Sequence, residues 1–302
     1  GDGLPDPPGG ICREFVSLCP VEFVHGADQA GVALLDQVQN VQAAAGILLG
    51  NGDNQTQVCF RQLVLGILVA LGNPLCQLHF FLGGEQLPLA RARNTGARTA
   101  IDRGAELLVF LDVDCLPAPG LLAGYVSAAG AAETKGRLLC GPVTYLDPPG
   151  PSGYDLERIE ELDAPHPARP APAPGTIIPD DSPDLFWSLS FAATNALWQY
   201  VGGFCEDYSG YGGEDTDYAR RAQQRGVGLA WIGAARAYHQ WHPTQDPPVQ
   251  HVADIVRNAN LFYQRWGSWP MGGWLEGFRR MGLIEGGTGA VPCELKQSAE
   301  LA

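Results

Sequence analysis

The chain has 302 residues, 45% of them apolar, and a formal charge of −14. That length allows one large domain or two small ones around a sizeable core. The acidic balance excludes nucleic acid as the main partner, because a phosphate backbone needs a basic surface. The eight cysteines form no CxxC pair and no N-terminal signal pattern is present, so a reduced, cytoplasmic chain is expected. Peripheral membrane contact stays open. A transmembrane span is not expected: the apolar run from Leu63 to Leu82 is broken by Asn73, Pro74, Gln77 and His79. Asn54-Gln55-Thr56 fits a glycosylation sequon, read here as chance.

Residues 1–12, rich in Gly and Pro, are expected to be disordered. A first strand lies within Phe15–Val24, ending at His25-Gly26, and a helix follows over Gln29–Ala45. Leu63–Leu71 and Leu78–Leu82 read as further strands, short and continuously apolar. "LARARNTGARTAIDRG" reads as a helix with Gly104 placed as its C-terminal cap. "ELLVFLDVD" is a buried strand ending in acids, so helix, link and strand make an α/β unit. "LPAPGLLAGYVSAAGAA" starts with prolines and continues as a helix, and "GRLLCGPVTYL" is another strand.

Residues 164–183 carry seven prolines and read as a long connection, neither helix nor strand. "LFWSLSFAATNALW" reads as paired strands, "GLAWIGAARAYHQWH" as a strand, and Pro248–Trp266 as the last helix. These elements divide the chain into a first half over 13–150, a Pro-rich loop over 151–183, a second half over 184–285 and a flexible tail over 286–302.

Three clusters carry chemistry. Asp112 and Asp114 end a buried strand, where ligands of open α/β sheets bind. Two carboxylates there need a cation, proton or donor to offset their repulsion. Mn²⁺ or Mg²⁺ would serve and could bridge to a diphosphate. The plainer alternative is a pair of acids capping the next helix. In "YGGEDTDYARR", Glu214, Asp215 and Asp217 follow a double glycine. Helix-start electrostatics alone would account for them. His239 and His242 flank Trp241, and neutral imidazoles suit Mn²⁺ and similar ions.

"LARARNTGA" followed by "LLVFLDVDCLPAPGLL" resembles the family 2 glycosyltransferases. "GGFCEDYSGYGGEDTDYARRAQQRG" is similar to the acceptor-side motif of galactosyltransferase-type C-terminal regions. "HQWHP" resembles the segment that gives those enzymes a metal-binding histidine. The resemblance runs from about residue 85 to 275. It implies an α/β GT-A fold with a mostly parallel, Rossmann-like central sheet flanked by helices. A nucleotide-sugar-binding half would precede an acceptor-binding half. The implied reaction is metal-dependent, inverting transfer of a hexose, galactose among the candidates, to an acceptor hydroxyl. A UDP-hexose is the implied donor, and a glycan, lipid-linked sugar or small molecule the acceptor. Asp215 would be the base. Glu214, Gly213, Tyr211 and Trp241 would hold the acceptor, and Arg93, Asn94, Asp112, His25 and Asn73 the donor. Asp114 and His239 would bind the metal, with Asp112 and His242 as weaker candidates. Two rivals stand beside this reading. One is a haloacid-dehalogenase-like phosphohydrolase with Asp112 as nucleophile; the other is a non-catalytic sugar-binding derivative of the fold.

Overall fold

The computed structural model describes residues 88–296, together with the backbone of 63–70 and 76–81. The expected disordered start, the strand within 15–24, the helix over 29–45, His25 and Asn73 lie outside the described residues.

Strands β1 (Leu63–Ala70) and β2 (Cys76–Phe81) match the two apolar runs and pair antiparallel. Five residues separate them, too few for the crossover that a parallel pair needs. Helix α1 (Leu89–Asp102) buries Ala90, Ala97 and Ala100. It stops where Gly104 takes φ +89, the cap expected of that glycine. β3 (Leu107–Leu111) follows, buried at all five positions.

The chain then turns at Asp112–Asp114 into β4 (Cys115–Pro117) and helix α2 (Leu121–Ala129). "GRLLCGPVTYL" splits into β5 (Arg137–Cys140) and β6 (Val143–Tyr145). The Pro-rich connection contains a 3-10 segment (Leu156–Leu162) and a strand, β7 (Ile177–Asp180), so it is not structureless throughout. "LFWSLSFAATNALW" is one strand, β8 (Ser190–Thr194), and then helix α3 (Asn195–Val201). Thr194 ends the strand because its hydroxyl accepts from Leu197 N–H and caps the helix. Helix α4 (Glu214–Gln224) leads to β9 (Gly228–Ile232) and β10 (Ala237–His239), two strands where one was expected. Helices α5 (Val252–Trp266) and α6 (Gly272–Arg280) follow. The expected flexible tail is built in as far as Lys296: β11 (Ile284–Glu285) pairs with β12 (Glu294–Leu295), and Cys293 is buried.

The large sheet has the order β2-β1-β3-β8-β5-β9-β7. The α/β expectation holds, but "mostly parallel" does not. Only β5 and β9 run parallel among the described strands of this sheet; its other neighbours are antiparallel. β8 enters between β3 and β5 in the opposite sense to both. A smaller sheet, β4-β10-β6, lies beyond the end of β3.

One face of the large sheet packs Phe110, Phe191, Trp198, Phe204 and Tyr218 beneath α1, α3 and α4. Phe110 and Phe191 face each other in register with ring centroids 4.3 Å apart. The other face packs α2 through Leu121 and Tyr125 against Val109, Ala192 and Ile232. A third cluster, with Ile255, Leu275 and Phe278, joins α5 and α6. Among the described residues no helix is long and apolar enough to cross a membrane.

Asp217 does more than complement a helix end. It is fully buried and takes Arg265 Nε–H at 2.6 Å, Trp266 Nε1–H at 2.8 Å and the Tyr208 hydroxyl at 3.3 Å. It therefore fastens α4 to α5. Asp217→Ala is expected to destabilise the fold by about 3 kcal/mol, the low end for a broken buried pair, because Arg265 keeps part of its hydration. Urea unfolding checks this; a change below about 0.5 kcal/mol would show that the contact contributes nothing.

Candidate active site

α1 presents small residues to the core, with one charged exception. Arg93 is 3% exposed and lies on the buried face of the helix. Its Nη2 donates to Asp112 Oδ1 at 3.1 Å and its Nη1 to Glu214 Oε1 at 3.0 Å. One guanidinium thus links the end of β3 to the first residue of α4, 121 positions away. Asn94, expected at the donor, is spent elsewhere. Its amide donates to Phe204 O at 2.9 Å and Glu206 Oε1 at 2.8 Å, and its Oδ1 accepts Phe204 N–H at 2.7 Å. It shapes the loop after α3.

The turn before α4 exists because glycine allows it. Gly210, Gly212 and Gly213 all have positive φ, at +73, +92 and +94. A Cβ on Gly212 would come within 2.7 Å of Met271 Sδ, so the backbone passes close to α6. Asn258 on α5 holds the turn by donating to the carbonyls of Ser209 and Tyr211. The turn sets Glu214, the first residue of α4, against Arg93 of α1. Glu214 is buried against Arg93, while Asp215 is half-buried and accepts from its neighbour Thr216, N–H at 2.7 Å and hydroxyl at 3.4 Å.

Burial, reinforced by Asp215, pushes Glu214 up to about 7 despite Arg93. Burial also raises Asp112 and Asp215, with Arg93 working against it at both. The four carboxylates Asp112, Asp114, Glu214 and Asp215 converge here from two elements.

The small sheet sets the other half of the site. β10 runs antiparallel to β4, with His239 opposite Cys115 and Gln240 N–H donating to Asp114 O at 2.8 Å. His239 Nε2 consequently lies 3.4 Å from Asp114 Oδ2, and His242 Nε2 lies 4.0 Å from the same oxygen. Burial alone would lower His239, but the Asp114 carboxylate raises it. The same contact draws Asp114 down against its own burial. One ligand atom each from Asp114, His239 and His242 fit within 4.8 Å of one another. A carboxylate oxygen with two imidazole nitrogens suits Mn²⁺ and related divalent ions. His242, the weaker sequence candidate, is in this group. Asp112, the other weaker one, is not, because its carboxylate is engaged with Arg93.

Around the site, Tyr145 stacks on His239 at 4.7 Å and Tyr211 on His251 at 4.6 Å. Trp241 is 47% exposed next to His242. Trp198 and Tyr208 are core residues. Tyr145 and, through its edge-on contact with that ring at 5.5 Å, His166 are brought to the site by the fold, and Arg169 follows three residues on. They come from β6 and the Pro-rich connection, and no periodicity or motif marks them.

Residues 181–243 match the family described as the N-terminal domain of galactosyltransferase. Over 199 residues the chain is 32% identical to validoxylamine A glucosyltransferase of Streptomyces hygroscopicus subsp. jinggangensis, covering 59% of this chain and 44% of that protein. The enzyme of the same name from subsp. limoneus matches equally, over 41% of its length. The chain thus spans less than half the length of these relatives. A crystal structure of GalNAc-T7 with UDP, GalNAc and Mn²⁺ is 14% identical over 65% of this chain and 44% of that one. Its TM-score of 0.37 is too low to establish a shared topology.

Because Glu214 titrates higher in the folded than in the unfolded chain, the folded state binds more protons between pH 4.5 and 7. Its contribution to stability is full below about pH 4.5 and is lost as pH rises through about 7. Glu214→Gln cannot titrate. The stability of wild type relative to Glu214→Gln is therefore expected to fall between pH 4.5 and 7.5, read by urea unfolding across that range. A flat difference would show that Glu214 is not raised. Arg93→Met leaves buried Glu214 and partly exposed Asp112 uncompensated and should cost about 3 kcal/mol near pH 8, and less near pH 5.

Proposed function

We propose that this homologue of the GT-A-like glycosyltransferases is a metal-dependent, inverting hexosyltransferase of the family 2 type. It would move a hexose from a nucleotide-diphosphate sugar, a UDP-hexose by preference, to an acceptor hydroxyl. The observation that carries this reading is the single Arg93 bridge. It joins Asp112, two residues before the Asp114–His239–His242 triad, to Glu214, one residue before Asp215. This bridge supports a reading in which the cation-binding set and the carboxylate pair serve one substrate site.

Asp114, His239 and His242 would hold the divalent ion, Mn²⁺ or Mg²⁺, which supplies Lewis-acid neutralisation of the leaving diphosphate. Asp112, charge-paired with Arg93, lines the donor side. Asp215 takes the proton from the acceptor hydroxyl at its carboxylate oxygen; Thr216 donates to Oδ1, and among the described residues no other side chain donates to this carboxylate. Attack from the side opposite the leaving group inverts the anomeric centre. Glu214 holds the acceptor and, through Arg93, fixes the approach of α4. Tyr211 and the half-exposed Trp241 offer ring faces to the C–H surface of a sugar. Gly213 lets the acceptor approach the backbone.

The phosphohydrolase alternative needs Asp112 as a free nucleophile. Its Oδ1 is committed to a buried arginine, and two histidines stand next to Asp114, which that reading leaves unused. The sugar-binding alternative shares every residue above and differs only in turnover.

A donor-hydrolysis screen across nucleotide sugars, with Mn²⁺ and with EDTA, is expected to give Mn²⁺-dependent turnover. Turnover that ignores the metal, or none with any donor, would sink the proposal. Asp215→Asn is expected to slow transfer roughly 100-fold or more while donor and Mn²⁺ still bind. An unchanged rate in that variant would remove Asp215 as the base.

A further inference from the structure

Between β6 and β7 the chain forms a strap over the small sheet. Its descending limb is fixed before and after Arg169. Asp163 pairs with Arg236 at 2.7 Å and accepts the Thr144 hydroxyl at 3.2 Å. His166 N–H donates to Val143 O at 3.0 Å, and Arg236 Nη2 donates to Pro172 O at 3.0 Å. Prolines 165, 167, 170, 172 and 174 stiffen the segment further.

Within this fixed strap the Arg169 side chain is 6% exposed, yet Nε, Nη1 and Nη2 are all buried without a hydrogen-bond partner among the described residues. Its guanidinium carbon lies 5.0 Å from the Trp187 ring centre and 4.8 Å from that of Trp231. Indole faces attract a cation, but they accept no ordinary hydrogen bond, so the five N–H groups stay unpaired. Arg93 shows the contrast, with both terminal nitrogens on carboxylates. Trp231 is itself fixed, its Nε1–H on Asp180 Oδ2 at 2.9 Å, whereas Trp187 is only half-buried. Of the two rings beside the buried fork, Trp187 is the more exposed. The ring of Trp187 meets His166, His166 meets Tyr145, and Tyr145 stacks on His239, so a chain of rings joins the guanidinium to the histidine beside Asp114.

A buried arginine with its whole fork free calls for an absent partner of opposite charge and planar or tetrahedral oxygens. The four nearby acids do not meet that need. We propose that Arg169 is an oxyanion-binding residue, receiving a phosphate or carboxylate group of the bound substrate on the Trp187 side of the site. This rests on the substrate-site reading given above. Two sources carry such a group: the diphosphate of a sugar donor, and an acidic substituent on a sugar or acceptor. Arginine rather than lysine suits either, because its fork meets two oxygens at once.

Calorimetric titration of the full chain in EDTA tests this with two separate probes, inorganic pyrophosphate and glucuronate. Wild type is expected to bind one of them. Arg169→Lys, which keeps the charge without the fork, should lose about tenfold in affinity, and Arg169→Met more. Which probe responds identifies the source. Because the free fork gives the fold no hydrogen bond, Arg169→Met is expected to melt at or above the wild-type temperature. A purely structural arginine would instead lower it.

The proposal is overturned if wild type binds neither probe, or if Arg169→Lys binds both as wild type does. No catalysis is read. A chain that binds pyrophosphate through Arg169 but turns over no donor would therefore reject the transferase reading and leave this one standing.

Discussion

Buried charge compensation at Arg93 is the constraint on which the site is built. Placing Asp112 and Glu214 side by side in a desolvated cleft is unfavourable without a cation between them. The guanidinium has a rigid fork and can serve two carboxylates at once, which an ammonium on a flexible stem does less well. Its position on α1, among alanines that pack against the sheet, fixes where those carboxylates must lie. The distance between the strand end and the start of α4 is then no longer adjustable. Asp215 inherits its placement from this bridge, whereas Asp114 and His239 are set together by the pairing of β4 with β10.

The same constraint explains why two neighbouring acids behave differently. Glu214 is held in the ion pair and is raised by burial and by Asp215. Asp215 is half-buried and accepts from Thr216. The glycine turn at 210–213 makes this division, because its left-handed residues set Glu214, the first residue of α4, against Arg93. Asp217, two positions on, points the opposite way and is used by Arg265, Trp266 and Tyr208. Three acids in four positions thus serve three ends, although their sequence context suggests one helix-start cluster.

The strap and the small sheet close the other side. β10 is shared between β4 and β6, so His239 is set beside Asp114 on one flank and beneath Tyr145 on the other. The strap is sewn to β6 and to Arg236, which puts His166 between Tyr145 and Trp187. A continuous run of rings therefore leads from the histidines to the arginine in the strap. Hydrogen bonds to Thr144, Val143 and Arg236 and the prolines hold the strap segment in place beside the candidate site.

By itself the sequence determined the local elements whose signals are local. These are the buried strand ending in Asp112 and Asp114, the helix ended by Gly104, the glycine turn before Glu214, and the histidines at 239 and 242. Each follows from backbone preference or apolar run length within a few residues. Strand direction was not legible, because hydropathy carries no record of which strand becomes a neighbour, and the expected parallel sheet is mostly antiparallel. Nor could the sequence divide Arg93 from Asn94, adjacent residues of which one reaches two carboxylates and the other a loop carbonyl. Tertiary structure decided these, and the burial of Arg169 as well, because charge compensation acts through space between segments that are far apart in the chain.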